Sequence, residues 1–292
     1  MARPTKTDLL ASPLKKFAES KAEVAIYDYY DGPFQFVESS ILSLDGVDSD
    51  IEPLLAVLSE KDEVCVEIGA GDGRLFPALL SKSNRLIAYE KSMQASKLAM
   101  KKADELSSVA QFQGAVSVVN DDFLTAASCD QTPSVFVLGS LSMNLFLEDE
   151  IDSLLEKCVQ TAPHAALVFG VFAPDSVADF EKYDTRIGSS VHLDALDMSE
   201  ALQASEPLWI LSLSNFVPEN QWLIQNWFMD AGSFQLEKRY AIAAAVEKIW
   251  CIDTLLPYLK DFGYEVVAQA PFKVREGGAH GLDACMYRVE RQ

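Results

Sequence analysis

Apolar residues run directly into three closely spaced glycines between Val64 and Gly73. The apolar positions alternate, and the glycines then occupy every second position: Val64, Val66 and Ile68, followed by Gly69, Gly71 and Gly73. Glycine lets the backbone turn tightly and come close to a ligand that a side chain would keep away. Residues 74–80 suit a helix. This stretch therefore predicts a strand, a tight turn and a helix start whose free backbone N–H groups face a ligand.

The spacing of the glycines separates two kinds of nucleotide site. A dinucleotide fingerprint is G-x-G-x-x-G, whereas here the third glycine comes one residue early and Arg74 follows it. Glu67 also stands two positions before the first glycine. This E-x-G-x-G-x-G pattern resembles motif I of class I S-adenosylmethionine (SAM)-dependent methyltransferases. A structural turn alone needs fewer glycines, so we interpret Glu67 and the three glycines as cofactor-binding residues.

A second acidic residue, Glu90, ends the short apolar strand predicted over residues 85–89. A carboxylate at a second strand's end, about 20 residues after a glycine turn, commonly binds a ribose diol. Taken alone, such an acid is as often a solvated strand end. Its place after the glycine turn favours the ribose, and by resemblance Glu90 fills the motif II position.

The acidic pair Asp121 and Asp122 follows a third predicted strand over residues 115–119. The resemblance implies an acid here for the adenine amino group and an apolar neighbour that packs on the ring. Asp122 with Phe123 fits this pattern best, and Asp121 is the alternative. A helix cap or a turn explains an Asp-Asp pair about equally well.

A polar loop, Gly139 to Asn144, follows the fourth predicted strand over residues 134–138. In the resembling family this loop lies beside the sulfonium and the methyl acceptor. The resemblance therefore implies cofactor contacts for Gly139 and Ser140, and substrate contacts for Ser142 and Asn144. The loop lacks the Asn/Asp-Pro-Pro-aromatic sequence of base-amino methyltransferases and the paired glutamates of protein arginine methyltransferases.

The composition indicates which classes of partner and which cellular compartment suit this protein. The chain has 292 residues, a formal charge of −20 and a pI near 4.5, so its surface repels nucleic acid and anionic lipid. Its five cysteines form no C-x-x-C pair, which favours reduced thiols in a cytoplasmic protein. Its three histidines lack metal-ligand spacing, and no segment suits a signal peptide or a membrane span. We expect a small-molecule substrate and no metal.

Strands and helices alternate from Val64 to Val171. This alternation predicts an α/β fold with a doubly wound, mostly parallel sheet, Rossmann-like and seven-stranded as in class I methyltransferases. Three alternating runs over residues 208–216, 221–229 and 233–244 then predict an inserted antiparallel β-meander.

Four regions are expected along the chain. Residues 1–48 form an N-terminal helical segment that closes over the cofactor, with a helix over 7–20. Residues 49–173 form the SAM-binding core and begin with a helix over 50–58, capped by Ser49 or Asp50. Residues 174–250 form a β-rich lid, and residues 251–292 add a helix and the last two strands. The lid and the Tyr27-Asp28-Tyr29-Tyr30 segment resemble glycine and amino-sugar N-methyltransferases of natural-product pathways.

The lid supplies candidate substrate residues. Trp222 and Trp227 suit cation–π contacts with an amine, although a sheet that packs its apolar face on a core explains them equally well. Tyr27, Tyr30 and His192 are candidate catalytic residues, with His280 as another candidate base, for an acceptor that needs deprotonation.

The resemblance implies methylation of nitrogen, oxygen or carbon on a small molecule, with S-adenosylhomocysteine (SAH) as product. A SAM-binding fold that catalyses another step, such as cyclisation, is an alternative, and a non-catalytic regulatory partner is a third. No clear seam indicates an oligomer, and a homodimer through the N-terminal helix or the lid stays open.

Overall fold

The computed structural model describes residues 4–28, 48–60, 63–112, 114–127, 129–180, 186–187, 210–230, 238–274 and 282–292. The chain divides into two compact units. The larger unit contains residues 45–177 and 249–292, and the smaller unit contains residues 1–44 and 178–248.

The described residues form strands and helices that we number in chain order. The strands are β1 Val24–Asp28, β2 Val64–Ile68, β3 Arg85–Tyr89, β4 Val116–Val119, β5 Val135–Leu138, β6 Ala166–Phe172, β7 Arg186–Ile187, β8 Ile210–Val217, β9 Trp222–Asp230, β10 Tyr240–Lys248, β11 Tyr264–Val274 and β12 Leu282–Arg291. The helices are α1 Ser12–Ser20, α2 Ile51–Val57, α3 Phe76–Leu80, α4 Met93–Ser107, α5 Glu148–Thr161, α6 Pro174–Phe180 and α7 Ile252–Asp261.

The larger unit is built on a seven-stranded sheet with the order β11-β12-β6-β5-β2-β3-β4. Strands β2 to β6 are parallel, and β12 runs antiparallel to both β6 and β11. The predicted doubly wound, mostly parallel sheet is therefore confirmed. Because parallel strands end at the same edge, the loops after β2, β3, β4 and β5 lie along one side of the sheet.

Alternate residues of the central strands are buried in two apolar clusters, one on each face of this sheet. Phe136 and Leu138 of β5 join the cluster that includes residues of α5 and α7. Val135 and Val137 join the cluster that includes residues of α2, α3 and α4. Strands apolar on both faces are characteristic of a sheet covered by helices on both sides.

The smaller unit contains a five-stranded sheet with the order β1-β10-β9-β8-β7. Strands β8, β9 and β10 pair antiparallel, which confirms the predicted meander. Helix α1 packs on this sheet through Phe17, whose ring makes edge contacts with Phe228 and Tyr240 at 5.5 and 5.2 Å. Buried Asn226 fixes the chain before α1, since its Nδ2 donates to the carbonyl of Leu9 and its Oδ1 accepts from the amide of Ala11.

Several predicted boundaries were wrong for local reasons. Helix α1 begins at Ser12 instead of residue 7, with a proline in its first turn, where proline is best tolerated. Helix α3 has only five residues, because two tight turns precede Phe76. Asp50 is the N-cap residue of α2, but neither predicted cap forms through a side chain. The Asp50 carboxylate accepts from Arg74, and the Ser49 hydroxyl donates to the carbonyl of Lys273.

The third meander strand lies later than predicted. Residues 231–237 lie outside the described residues, and β10 runs from Tyr240 to Lys248. Its alanine-rich end shows no polar alternation, which explains why the sequence did not indicate it. Strand β1 was not predicted, because its partner is β10, more than 200 residues away along the chain.

The described ranges show neither a membrane-spanning helix nor a metal-binding cluster. None of their helices is both long and apolar enough to cross a bilayer. They also contain no group of three side chains suited to hold a metal ion. The five cysteines are free, and two of them, Cys129 and Cys285, are only half-buried.

Candidate functional site

The glycine turn after β2 adopts a backbone that favours glycine at each of its three positions. The φ angles of Gly69, Gly71 and Gly73 are +75°, +58° and +84°. The amide of Gly69 donates to the carbonyl of Tyr89 at 2.9 Å, which ties the turn to β3. A Cβ at Gly73 would lie 2.7 Å from the Phe76 ring, whereas one at Gly69 or Gly71 would meet no atom within 4 Å. The first two glycines therefore border open space that a ligand can enter.

Glu67, at the end of β2, is a buried acid with an unpartnered oxygen. Glu67 is 2% exposed, and its Oε2 has no hydrogen-bond partner among the described residues. Burial raises the pKa of Glu67 well above its usual range; the nearby Arg74 opposes this, and Asp72, Glu90 and Asp50 add to it. Buried polar atoms are almost always paired in folded proteins. A cationic or donor group of a ligand would supply the missing partner.

Glu90 follows β3 and binds the glycine turn directly. Its Oε2 accepts from the amide of Gly71 at 2.8 Å, and its Oε1 accepts from the amide of Ser92 at 2.8 Å. Ser92 is the N-cap of α4 and accepts from the amide of Ala95. These contacts orient the Glu90 carboxylate, and a carboxylate accepts hydrogen bonds from hydroxyl groups.

The acidic pair after β4 forms local turns. Asp121 Oδ1 accepts from the amide of Asp122 at 2.8 Å, and Asp122 Oδ1 accepts from the amide of Leu124 at 2.9 Å. The turn interpretation of these residues is therefore seen directly, while contact with adenine stays a prediction. Asp121 is the more exposed of the two.

Phe123 lies in the core of the larger unit. It is 5% exposed, and its ring makes edge contacts with Tyr89 at 5.3 Å and with Phe136 at 5.8 Å. A side chain this buried leaves little of its ring exposed. Its predicted stacking on adenine stays a prediction that this burial disfavours.

The loop after β5 is held in a constrained conformation. Ser140 has φ +49°, a region that costs a residue other than glycine about 1–3 kcal/mol. A Cβ at Gly139 would overlap the side chain of Leu75 and lie 3.8 Å from Glu67 Oε1. A Cβ at Gly170 of β6 would overlap the carbonyl oxygen of Ser140. The loop is thus seated closely on β6 and beside the Glu67 carboxylate.

Asn144 is fully buried at the far end of the same loop. Its Oδ1 accepts from the amide of Trp250 at 3.0 Å, while Nδ2 has no partner among the described residues. The indole of Trp250 donates to the carbonyl of Phe146 at 2.8 Å. Asn144 therefore has a structural contact through its oxygen, and its Nδ2 is a buried donor without a partner among the described residues. Ser142 is half-buried at the start of the short 3₁₀ helix that contains Asn144.

Sequence reasoning missed Asp50 as a site residue. It is 1% exposed and accepts from Arg74 through both oxygens, from Nη1 at 2.8 Å and from Nη2 at 2.9 Å. Asp50 Oδ2 also accepts from the amide of Ser140 at 3.0 Å. The available signal was Arg74, a cation placed directly after the third glycine among several acids.

The predicted residues of the smaller unit form two groups. Tyr27 pairs with Ala243, which pairs with Trp227, so their side chains share one face of the sheet. Trp222 stands five positions before Trp227 on β9 and faces the opposite side; it is 9% exposed, and its Nε1 has no partner among the described residues. The two tryptophans therefore do not line one surface. Tyr30, His192 and His280 lie outside the described residues.

No protein-family model and no curated protein matches the sequence. Solved structures do match. A SAM-dependent methyltransferase from Clostridium acetobutylicum ATCC 824 is similar with a TM-score of 0.61 and 12% identity over 89% of this chain and 99% of that one. The CcbJ methyltransferase from Streptomyces caelestis has a TM-score of 0.59 and 16% identity over 84% and 89%. The chain has the class I methyltransferase fold.

A third structure extends this result. SAM-bound CalS10, an amino pentose methyltransferase from Micromonospora echinaspora, has a TM-score of 0.54 and 14% identity over 89% of this chain and 98% of that one. Identities this low establish the fold alone. In this class I methyltransferase fold, the glycine turn, Glu90 and the loop after β5 follow parallel strands of one sheet edge. Two buried carboxylates, Glu67 and Glu90, lie at this edge beside a turn that borders open space.

Proposed function

We propose that this protein is a SAM-dependent methyltransferase that acts on a small molecule, an amine or another secondary metabolite. The observation that carries the proposal is the buried, unpartnered oxygen of Glu67 beside a glycine turn that borders open space. SAM bears an ammonium and a sulfonium group, and a cation near Glu67 would favour its ionised form.

The residues of the larger unit fit the parts of SAM. Glu67 would accept from the ammonium group, and Glu90, already oriented by the amide of Gly71, would accept from the ribose hydroxyls. Asp121 or Asp122 would accept from the adenine amino group. Gly139 lies beside Glu67, and we assign Gly139 and Ser140 to the methionine part of SAM. When bound, SAM supplies a methyl group on a sulfonium that is already an excellent leaving group.

The chain's own residues then have to align the acceptor and exclude water. An amine acceptor in its neutral form needs no base for its attack. A hydroxyl or an acidic carbon needs one within hydrogen-bond reach, and Tyr27, Tyr30 and His192 are the candidates. Ser142 and the Nδ2 of Asn144 would orient the acceptor from the loop after β5.

The smaller unit is proposed to bind the acceptor. We assign residues 174–250 as a lid and residues 1–48 as a segment that closes over the cofactor. Tyr27 and Trp227 share one face of this sheet, where their rings suit a cationic amine. CalS10 is an amino pentose methyltransferase, which favours an amine among the acceptors.

The proposed setting is the cytoplasm. Free cysteines persist in a reducing compartment, and the charge of −20 opposes binding to nucleic acid. A homodimer remains compatible with this proposal and is tested by the mass of the protein in solution.

Transfer of a labelled methyl group tests the proposal. Purified protein is incubated with SAM labelled on the methyl carbon and with panels of amino sugars, other amines, phenols and acidic carbon compounds. We expect transfer to at least one amine, inhibited by SAH. Binding of SAM without transfer to any panel would favour the alternatives, a different SAM-dependent step such as cyclisation or a regulatory partner.

A further inference from the structure

Asp50 connects two loops of the candidate site through one buried carboxylate. It is the last residue of a short 3₁₀ helix, Asp48–Asp50, and the N-cap residue of α2, before β2 begins. Its oxygens accept from both terminal nitrogens of Arg74, which follows the glycine turn, and from the amide of Ser140, in the loop after β5. The two loops are far apart in sequence and share this one acceptor.

The pair of Asp50 and Arg74 is suited to hold structure instead of binding an anion. Its two parallel hydrogen bonds neutralise the guanidinium and fix its plane. The Arg74 side chain is 31% exposed, whereas that of Asp50 is 2% exposed. The backbone of Arg74 is also restrained, because its amide donates to Asp72 Oδ1 at 3.1 Å.

The other partner, Ser140, needs an external restraint. Its φ of +49° is unfavourable for a serine, and its carbonyl is pressed against Gly170. The hydrogen bond from its amide to Asp50 compensates for that conformation. Loss of this acceptor would let the loop relax away from Glu67.

We propose that Asp50 is a positioning residue of the cofactor site. It acts as a lock that holds the glycine turn and the loop after β5 in fixed positions relative to each other. In the context of the proposed function, on which this inference rests, the lock sets the distance between the Glu67 side of the site and the loop beside the reacting methyl group. Asp50 itself does not contact the cofactor in this assignment.

The lock also holds a cation at an acidic site. Burial raises the pKa of Glu67 the most, and the carboxylates of Asp72, Glu90 and Asp50 raise it further. Arg74 lowers this pKa. Arg74 favours the ionised form of Glu67, which is the form that attracts a cationic ligand. Asp50 keeps Arg74 in this place although it adds negative charge of its own.

Hydrogen exchange of the ligand-free protein tests the lock independently of SAM. We compare wild type, Asp50→Asn and a control, Asp283→Asn, which removes an exposed ion pair with Lys273 in the same unit. In Asp50→Asn, amides of residues 69–76 and 139–146 should both exchange faster by about tenfold or more, as expected for one lost hydrogen bond to a charged group. The control should match wild type.

Two exchange patterns would overturn the proposal. One is faster exchange in a single loop or in neither; the other is uniformly faster exchange across the sheet strands, which indicates general destabilisation. If Asp50→Asn does not fold, Arg74→Lys replaces it, because an ammonium can still pair with one oxygen. It should accelerate exchange in both loops by a smaller factor, and unchanged exchange would again contradict the lock.

Calorimetric titration with SAM separates the two proposals. Wild type should bind, Asp50→Asn should bind about tenfold more weakly, and Asp283→Asn should equal wild type. With Arg74→Gln, the pH at which affinity rises should move upward, because Glu67 loses the cation that favours its ionised form. Coupled loop exchange without SAM binding by wild type would refute the proposed function and leave the lock intact.

Discussion

At the residue scale, the buried acid Glu67 lowers the folding stability of the ligand-free protein at neutral pH. Its pKa is raised, first by burial, so the folded state holds its proton more tightly than the unfolded chain does. The stability from that proton is fully present below the unfolded pKa of about 4.3 and is lost as pH rises through the folded pKa. At neutral or higher pH the ligand-free protein therefore carries a cost that a bound cation would remove.

Replacing Glu67 with glutamine should separate stability from binding. Glu67→Gln should melt at a higher temperature than wild type at pH 8, by about 2–4 °C per kcal/mol recovered, and the difference should shrink toward pH 5. Its affinity for SAM should fall. Thermal unfolding across this pH range measures the first effect and calorimetry the second. A variant that is less stable than wild type at pH 8 would contradict the assigned cost.

Replacement of Glu90 should affect ligand binding, because its carboxylate is already oriented by hydrogen bonds from two backbone amides. Glu90→Ala should weaken SAM binding by roughly 1.5–3 kcal/mol, the value of hydrogen bonds to a charged group. Glu63→Ala, at an exposed position just before β2, is the control and should bind like wild type. Unchanged affinity in Glu90→Ala would refute its ribose role.

At the element scale, the candidate site is formed mainly by two loops, the turn after β2 and the loop after β5. Gly71 and Gly114 allow a matched test, since they have φ angles of +58° and +69° and neither has an atom within 4 Å of an added Cβ. Alanine at either position should cost about 1–2 kcal/mol of stability.

Only Gly71→Ala should also abolish SAM binding, because its methyl group enters the space assigned to the ligand. Chemical denaturation and calorimetry on both variants provide the comparison. Equal binding by the two alanine variants would show that the space beside Gly71 is not the ligand's.

The elements predictable from sequence are those whose signals are local. The strand and turn from Val64 to Gly73 and the alternation that follows depend on neighbouring residues, and the structure has them where the sequence predicts them. Strand β1 depends on a partner distant in the chain. The burial of Phe123 and the contacts of Asp50 depend on tertiary structure as well, so residue type and spacing could not indicate them.

At the scale of the whole molecule, the larger unit contains two apolar clusters of its own. The chain leaves this unit and returns to it at neighbouring points. The amide of Phe172 donates to the carbonyl of Trp250 at 3.1 Å, and Phe172 forms a bridge with Cys251. The intervening segment therefore begins and ends at one place, which is expected of an inserted domain.

Excision of the smaller unit should leave a folded protein. A chain of residues 45–176, joined by about six glycine and serine residues to 249–292, keeps the contact of Ser176 with the amide of Asp283. We expect cooperative unfolding and SAM binding weaker than in the full chain, because the proposed closing segment is lost. Circular dichroism and calorimetry measure both. A product without cooperative unfolding would show that the larger unit depends on the smaller one.

The most direct test of the central claim is calorimetric titration of the full-length protein with SAM and with SAH. The acidic site beside the glycine turn predicts that each binds at one site per chain, with a Kd on the order of micromolar. NAD should not bind, because the third glycine of the dinucleotide fingerprint is displaced. A folded protein that binds neither SAM nor SAH would contradict the assignment of this site.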